Sequence, residues 1–222
     1  MNDPNTAFHP IDPETWERRQ AFYYFTKLLP TAYSLTVEVD VTHTYRRAKE
    51  LGLKFFPVYL YLVTRLLNRR PCFRMAEREG RLGCYERLHP SYTVFHPDDN
   101  TISNLWTWYS ERFSDFYAAY LEDQALYARN HGVSAKPEAP PPNSYLAGML
   151  PWVQFTAYTP VPFAPLTYLP VVQAGRRFLR DGRLMMPFSM TVHHAVADGW
   201  HTASFLQDLS DGMAEPEGWM DA

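Results

Sequence analysis

Residues 191–205 read TVHHAVADGWHTASF, and how that stretch is read decides what the rest of the chain must be. Two histidines, His193 and His194, close a strand-like run. Asp198 follows four positions after the second, and Gly199 lets the backbone turn sharply. Ala203, Leu206, Leu209 and Met213 then recur at helical spacing. Any site here is held by a strand on one side and a helix on the other. In the strand, Met190, Val192 and His194 share one face, while Ser189, Thr191 and His193 share the other. At most one of the two histidines therefore enters any one pocket. Taken alone, a histidine at a strand end is more often a satisfied core residue than a catalyst. Asp198, just ahead of a helix, is by default its N-cap. A metal site is disfavoured: adjacent histidines in extended chain cannot both reach one ion, and His201 completes no zinc spacing.

Upstream of the histidines, Asp181-Gly182 is a strong hairpin signal between RRFLR and RLMMPFSMTV. Further back, YSLTVEVDVT alternates Leu35, Val37, Val39 and Val41 against Ser34, Thr36, Glu38 and Asp40, the period of a half-buried strand. HTYRRAKELGL predicts a helix stopped by Gly52, and VYLYLVTRLLNRR a mostly buried helix with Pro57 in its first turn. DPETWERRQAFYYFTKLL predicts a helix opening at Asp12 and Pro13, and SDFYAAYLEDQALYARNHG one running from near Ser114 to near Gly132. CFRMAEREGRLGCYERL gives two short strands about REGR, and SYTVFHP and TISNLWTWY continue the strands. SAKPEAPPPNS is a surface loop, because prolines remove donors and fix φ. Strands and helices mixed without strict βαβ alternation indicate an α+β or mixed α/β domain.

With 222 residues, 46% of them hydrophobic, the chain can bury one good core. A net charge of −3 argues against a nucleic-acid binder. Cys72 and Cys84 form no CxxC motif and no disulfide framework, so a reducing cytoplasm is the expected location. The N-terminus lacks the basic and apolar regions of a signal peptide, and FFPVYLYLVTRLL is too short to span a bilayer.

The motif HHAVADG resembles the HHxxxDG signature of the chloramphenicol acetyltransferase family, which acyltransferase cores of 2-oxo acid dehydrogenase complexes share in looser form. The resemblance runs nearly end to end, through WERRQAFYYF, LPTAYSLTVEVDVT, LKFFPVYLYL, FRMAEREGRL, SYTVFHPDDNTIS and MLPWVQF. No lipoyl domain or long linker precedes the motif, which favours the chloramphenicol branch. The resemblance implies a single domain over residues 1–222. Its fold is α/β in the broad sense, an α+β two-layer sandwich with a mixed β-sheet and helices packed on one face. It implies a homotrimer with active sites at subunit interfaces, the neighbouring subunit supplying much of the acceptor pocket, and acetyl-CoA as co-substrate with no metal.

By the same resemblance, His194 is the general base that takes a proton from an acceptor hydroxyl, and its imidazole is held by its own backbone carbonyl. Asp198 pairs with Arg18, two residues after Trp16. Phe25, Leu29, Thr31, Tyr33 and Tyr158 match acceptor-pocket positions. Trp152, Lys54, Gln173, Arg176 and Arg177 lie where the family contacts or neighbours coenzyme A, and paired arginines also suit phosphate on chemical grounds. His193 is expected to be structural.

The sequence departs from the family where the oxyanion is stabilised. Gly148, in LAGMLPW, stands where the family has a serine that donates to the tetrahedral intermediate, and losing such a donor costs about 10²–10³ in rate. Gln173 matches a nearby threonine; it carries an amide donor with longer reach, whereas Ser144 is too far along the chain. Ala135 replaces a phenylalanine, Pro160 an apolar residue and Thr31 a cysteine, which implies a reshaped and more polar acceptor pocket. Two functions follow: an O-acetyltransferase acting on chloramphenicol or a similar small acceptor, or a catalytically impaired relative that binds CoA or a hydrophobic small molecule.

Overall fold

The computed structural model describes residues 4–160 and 167–220, so the two ends of the expected 1–222 domain lie outside it. After a 3-10 turn at Pro4–Thr6, the chain's first strand is β1 (Phe8–Pro10). Next come α1 (Arg19–Tyr23), β2 (Ala32–Asp40), α2 (Thr42–Glu50) and α3 (Phe55–Asn68). β3 (Met75–Arg78), β4 (Arg81–Tyr85), β5 (His89–His96) and β6 (Thr101–Trp106) follow. α4 (Phe113–Tyr127) leads to β7 (Ser144–Leu150), β8 (Val171–Gly175) and β9 (Phe178–Arg180). β10 (Arg183–His193), α5 (Gly199–Ala214) and α6 (Glu217–Met220) complete it.

A mixed seven-stranded sheet carries the order β2-β10-β8-β7-β5-β6, with β9 beside β10. β7 runs parallel to both β5 and β8, and the other pairs are antiparallel. β1, β4 and β3 form a separate small sheet. Strand alternation gives the large sheet two unlike faces. Val39, Tyr92, Ala147, Val172, Phe188, Met190 and Val192 are buried on the face covered by the helices. The opposite face is polar: Ser34 meets Thr191 hydroxyl to hydroxyl at 2.6 Å, and the Thr36 hydroxyl donates to Ser189 at 3.1 Å.

α3 reads as expected, with Pro57 inside its first turn and almost every side chain buried. The Glu79-Gly80 and Asp181-Gly182 turns carry positive φ at both residues, as two-residue hairpins require. Three boundaries differ from expectation. The helix predicted from Asp12 starts only at Arg19, because Asp12 closes its own turn: its carboxylate accepts the Glu14 N–H and its carbonyl that of Trp16. Beyond Tyr23 the helix widens into a π-type turn over Tyr24–Leu28, with the Leu29 N–H reaching back to the Tyr24 carbonyl at 2.8 Å. α4 ends at Tyr127 rather than near Gly132, because the Asn130 side chain turns to the Ala135 carbonyl and its own carbonyl accepts from Ser103. In α5, Ala203 is exposed, and Thr202 and Phe205 join Leu206, Leu209 and Met213 in the buried stripe. Among the described residues no helix is long and apolar enough to cross a membrane.

Candidate active site

β10 delivers the two histidines to opposite sides. His193 is the last strand residue, on the polar face, 5% exposed, with its ring edge-on to Tyr168. Its Nδ1 accepts the Ala195 N–H and its carbonyl the N–H groups of Val196 and Ala197, so it ties the turn that leaves the strand. His194 lies beyond the strand. Its N–H donates to the Thr31 carbonyl at 2.9 Å. Its ring stacks on Phe25 (centroids 3.9 Å, interplanar 7°) and meets Tyr33 edge-on at 5.1 Å. The π-type turn carries Phe25 over the imidazole, and the Tyr33 hydroxyl is fixed at 2.8 Å from Thr202 Oγ1.

Asp198 lies at the start of α5 and its carboxylate is gripped by Arg18. Nη1 donates to Oδ2 at 2.6 Å and Nη2 to Oδ1 at 2.8 Å. The hydrogen bonds from Arg18 hold the Asp198 carboxyl below the ordinary carboxylate range, against an opposing effect of burial. Arg18 Nη2 also donates to the His194 carbonyl at 3.3 Å. This corrects the expectation that the imidazole bonds its own carbonyl. That carbonyl faces Arg18, while the buried Nδ1 lies 3.3 Å from Asp198 Oδ1 without a well-formed hydrogen bond. The first turn of α5 is tied by His201, whose Nδ1 accepts the Asp198 N–H at 3.1 Å.

The acceptor-pocket positions divide. Phe25, Leu29, Thr31 and Tyr33 belong to β2 and the segment before it, around the same chain's His194. The Thr31 hydroxyl donates to the Leu29 carbonyl at 2.6 Å, so this substitution supplies no free donor to the pocket. Tyr158 lies elsewhere, with Pro160, on a cavity of about 440 Å³ over the polar sheet face. Gly148, Gln173, Thr93, Thr191 and His193 also line it, and His194 does not. Gly148 pairs with Gln173 and Gln173 with Ser189, four residues before His193. At about 3.3 Å per residue, His194 and the Gly148-Gln173 pair stand more than roughly 13 Å apart. Ala135 is buried beside β6, its N–H on the carbonyl of Asn104, which lines that cavity while Ala135 itself does not.

Of the positions matched to coenzyme A, Gln173 lies in the middle of β8, and the others follow the ends of β7 and β8 or open α3. Trp152 is 56% exposed and edge-on to Phe95. Arg176 is exposed, and its N–H bonds the Val153 carbonyl. Lys54 is the exposed N-cap of α3, its N–H on the Tyr117 hydroxyl. Arg177 is different: its guanidinium lies over Tyr45 and Phe55, 4.7 and 4.6 Å from the ring centroids, and burial lowers its pKa. The two rings hold this half-buried guanidinium in one place.

Residue pattern alone did not single out Thr202, Tyr168 or the capping roles of His193 and His201. Burial is the main cause lowering the pKa of both histidines, with the electrostatic effects of the neighbouring His194 ring on His193 and of Arg18 on His201 adding to it. Their Nδ1 atoms accept backbone N–H groups, which requires the neutral ring there. A folded state that binds fewer protons than the unfolded chain is favoured above 6.5 and loses stability as pH falls below it. The melting temperature is therefore expected to fall between about pH 7.5 and 5.5, well above the range where Asp198 titrates. The His201→Asn variant, which keeps an acceptor for the Asp198 N–H, is expected to flatten that slope in thermal melts across pH.

One group of potential metal ligands was not anticipated: His96, Asp98 and His131 bring ligand atoms within 4.8 Å of one another. Their contacts are explained without an ion. His131 pairs with Asp99 at 2.9 Å and Asp98 at 3.3 Å, its ring stacks on His96 at 4.0 Å, and His96 bonds Ser103.

The family profile described as chloramphenicol acetyltransferase matches residues 6–210. A chloramphenicol acetyltransferase of Clostridium perfringens is 35% identical over 96% of this chain and 98% of its own length. One of Escherichia coli is 32% identical over 98% and 99%, respectively. A solved chloramphenicol acetyltransferase superposes with a TM-score of 0.84 at 27% identity, covering 93% of this chain and all (100%) of the other. A dihydrolipoamide acetyltransferase of Azotobacter vinelandii shares the fold at a TM-score of 0.63 and 22% identity, covering 84% and 83% of the two chains.

Proposed function

The chain belongs to the chloramphenicol acetyltransferase family and is an acyltransferase; on that premise we propose that it moves acetyl from acetyl-CoA to a hydroxyl of chloramphenicol or a similar small acceptor, with His194 as general base. The observation that carries this reading is the imidazole clamped between Phe25 and Tyr33, with Nδ1 turned inward to Asp198. Nε2 is then the nitrogen that takes the acceptor proton as the hydroxyl oxygen attacks the thioester carbon. When the C–S bond breaks, the same proton passes to the departing CoA sulfur, so atoms and charge balance. A histidine suits the step because its ordinary pKa is near working pH. Arg18 and Asp198 hold the loop that positions the ring. Trp152, Lys54 and Arg176 are the groups proposed to meet coenzyme A, and Phe25, Leu29, Thr31, Tyr33 and Tyr158 the acceptor.

The separation of His194 from the Gly148-Gln173 pair fits a site shared between chains, and the family resemblance makes that assembly a homotrimer, in which one chain's histidine faces a neighbour's polar sheet face. Light scattering during gel filtration is expected to give three times the chain mass of 25.9 kDa; a monomer still active at assay concentration would sink the shared-site reading. The activity itself is tested by CoA release from acetyl-CoA with and without chloramphenicol, and turnover that requires chloramphenicol is the expected result. Gly148, in place of the family's serine, favours the second reading: an impaired relative that binds CoA or a hydrophobic small molecule. Acetyl-CoA binding without turnover on any hydroxyl acceptor would decide for it.

A further inference from the structure

We propose that the side-chain amide of Gln173 is the oxyanion donor of the transfer reaction; this rests on the acyl-transfer reading above. Gln173 is 8% exposed, in mid-sheet, directly opposite Gly148 across the parallel β7–β8 pair. A Cβ built on Gly148 would sit 2.2 Å from one end of that amide, so no side chain fits at 148 while Gln173 holds its place. The glycine and the glutamine are thus one packing solution. The amide orientation that satisfies its surroundings has the oxygen accepting from Met149 N–H (3.1 Å) and Leu150 N–H (3.2 Å). Two backbone donors then anchor the oxygen. Nε2 occupies the space over Gly148 where a side chain from β7 would otherwise lie.

That space is where two cavities meet. The 440 Å³ cavity of the polar sheet face and one of about 550 Å³ lined by Trp152, Met149 and Leu150 share Thr93, Tyr158 and Gln173. Of these three, Gln173 is the buried one, and with its oxygen on the Met149 and Leu150 N–H groups its Nε2 is the end turned toward Gly148. A thioester reaching in past Trp152 and a hydroxyl compound in the sheet-face cavity would meet at this amide. As the hydroxyl oxygen bonds the carbonyl carbon, the carbonyl π electrons move to oxygen. A fixed N–H at that oxygen stabilises the developing charge without reorganising. Collapse of the intermediate breaks the C–S bond and releases the donor.

The test uses the full chain and chloramphenicol-dependent CoA release from acetyl-CoA, comparing wild type, Gln173→Ala, Gly148→Ser and the double variant Gly148→Ser/Gln173→Ala. Gln173→Ala is expected to lose about 10²–10³ in kcat, with KM for acetyl-CoA within about threefold. Gly148→Ser alone is expected to be impaired by collision with Gln173. The double variant, whose serine hydroxyl enters the vacated space, is expected to recover at least about tenfold in kcat over Gln173→Ala. A structural tie between strands would show no such recovery. Should Gln173→Ala fold poorly, Gln173→Glu keeps an anchoring oxygen, removes the N–H and is expected to lose kcat alike. Wild-type turnover with undiminished Gln173→Ala or Gln173→Glu turnover would overturn this proposal alone. Absence of wild-type turnover on chloramphenicol and on a panel of hydroxyl acceptors would overturn the acyl-transfer reading and this proposal with it.

Discussion

The His194→Ala variant is expected to lose about 10²–10⁴ in kcat for chloramphenicol-dependent CoA release, with acetyl-CoA binding nearly unchanged. The size follows from the step removed. Without an imidazole at that position, the acceptor hydroxyl must give its proton to water, and the departing thiolate has no proton donor in reach. Binding is expected to be spared because Trp152, Lys54 and Arg176, the groups proposed to meet coenzyme A, lie at the far ends of β7 and β8 and at the start of α3, away from the turn that carries His194. Stability is expected to change by about 1 kcal/mol or less, since the ring is 30% exposed and its main packing partner is one face of Phe25. The measurement is a kcat and KM determination beside a thermal melt. Turnover within about tenfold of wild type in a folded variant would show that another group takes the proton.

Removing Arg18 is expected to act on both stability and rate. The guanidinium makes two bonds to the Asp198 carboxylate and one to the His194 carbonyl, which joins the α5 start to the histidine turn. Arg18→Ala leaves the carboxylate 3.3 Å from His194 Nδ1 without its counter-charge. A fully buried pair broken from one side costs about 3–5 kcal/mol. The Asp198 side chain is 44% exposed, so water screens part of that, and about 1–3 kcal/mol is expected. In a chain of this size that is a fall of several degrees in Tm. kcat is expected to drop by about 10–10² because the imidazole loses its fixed setting. Arg18→Lys should not restore either quantity, because an ammonium cannot make the two-pronged contact. A double-mutant cycle with Asp198→Ala checks the assignment: the combined loss should be smaller than the sum. Strict additivity would mean that the pair does not act as a unit.

Much of the fold was legible where one period dominates. Strand alternation at Leu35–Val41 and Ser189–His193 gave the two unlike sheet faces, and Asp181-Gly182 gave the hairpin. Errors fell where a local bond competes with the pattern. Asp12 looks like a helix cap but spends its acceptors on its own turn, and Asn130 ends α4 by bonding Ala135. Spacing could not have predicted that Ala203 faces solvent, since Phe205 fills the position against Phe73 and Phe188.

By itself the sequence determined the histidine pair with its opposed faces, a matter of residue type and order, and through its resemblance it implied the family and the Arg18-Asp198 partnership. Only the tertiary structure decided which atoms meet. It turned the His194 carbonyl to Arg18, and it placed the Arg177 cation between Tyr45 and Phe55. It also separated His194 from Gly148 along the sheet, and set Gln173 where a side chain at 148 would stand. The physical reason is distance in the chain. Residues 25 positions apart, like Gly148 and Gln173, become neighbours only through strand register and packing. Neither leaves a periodic trace in the sequence.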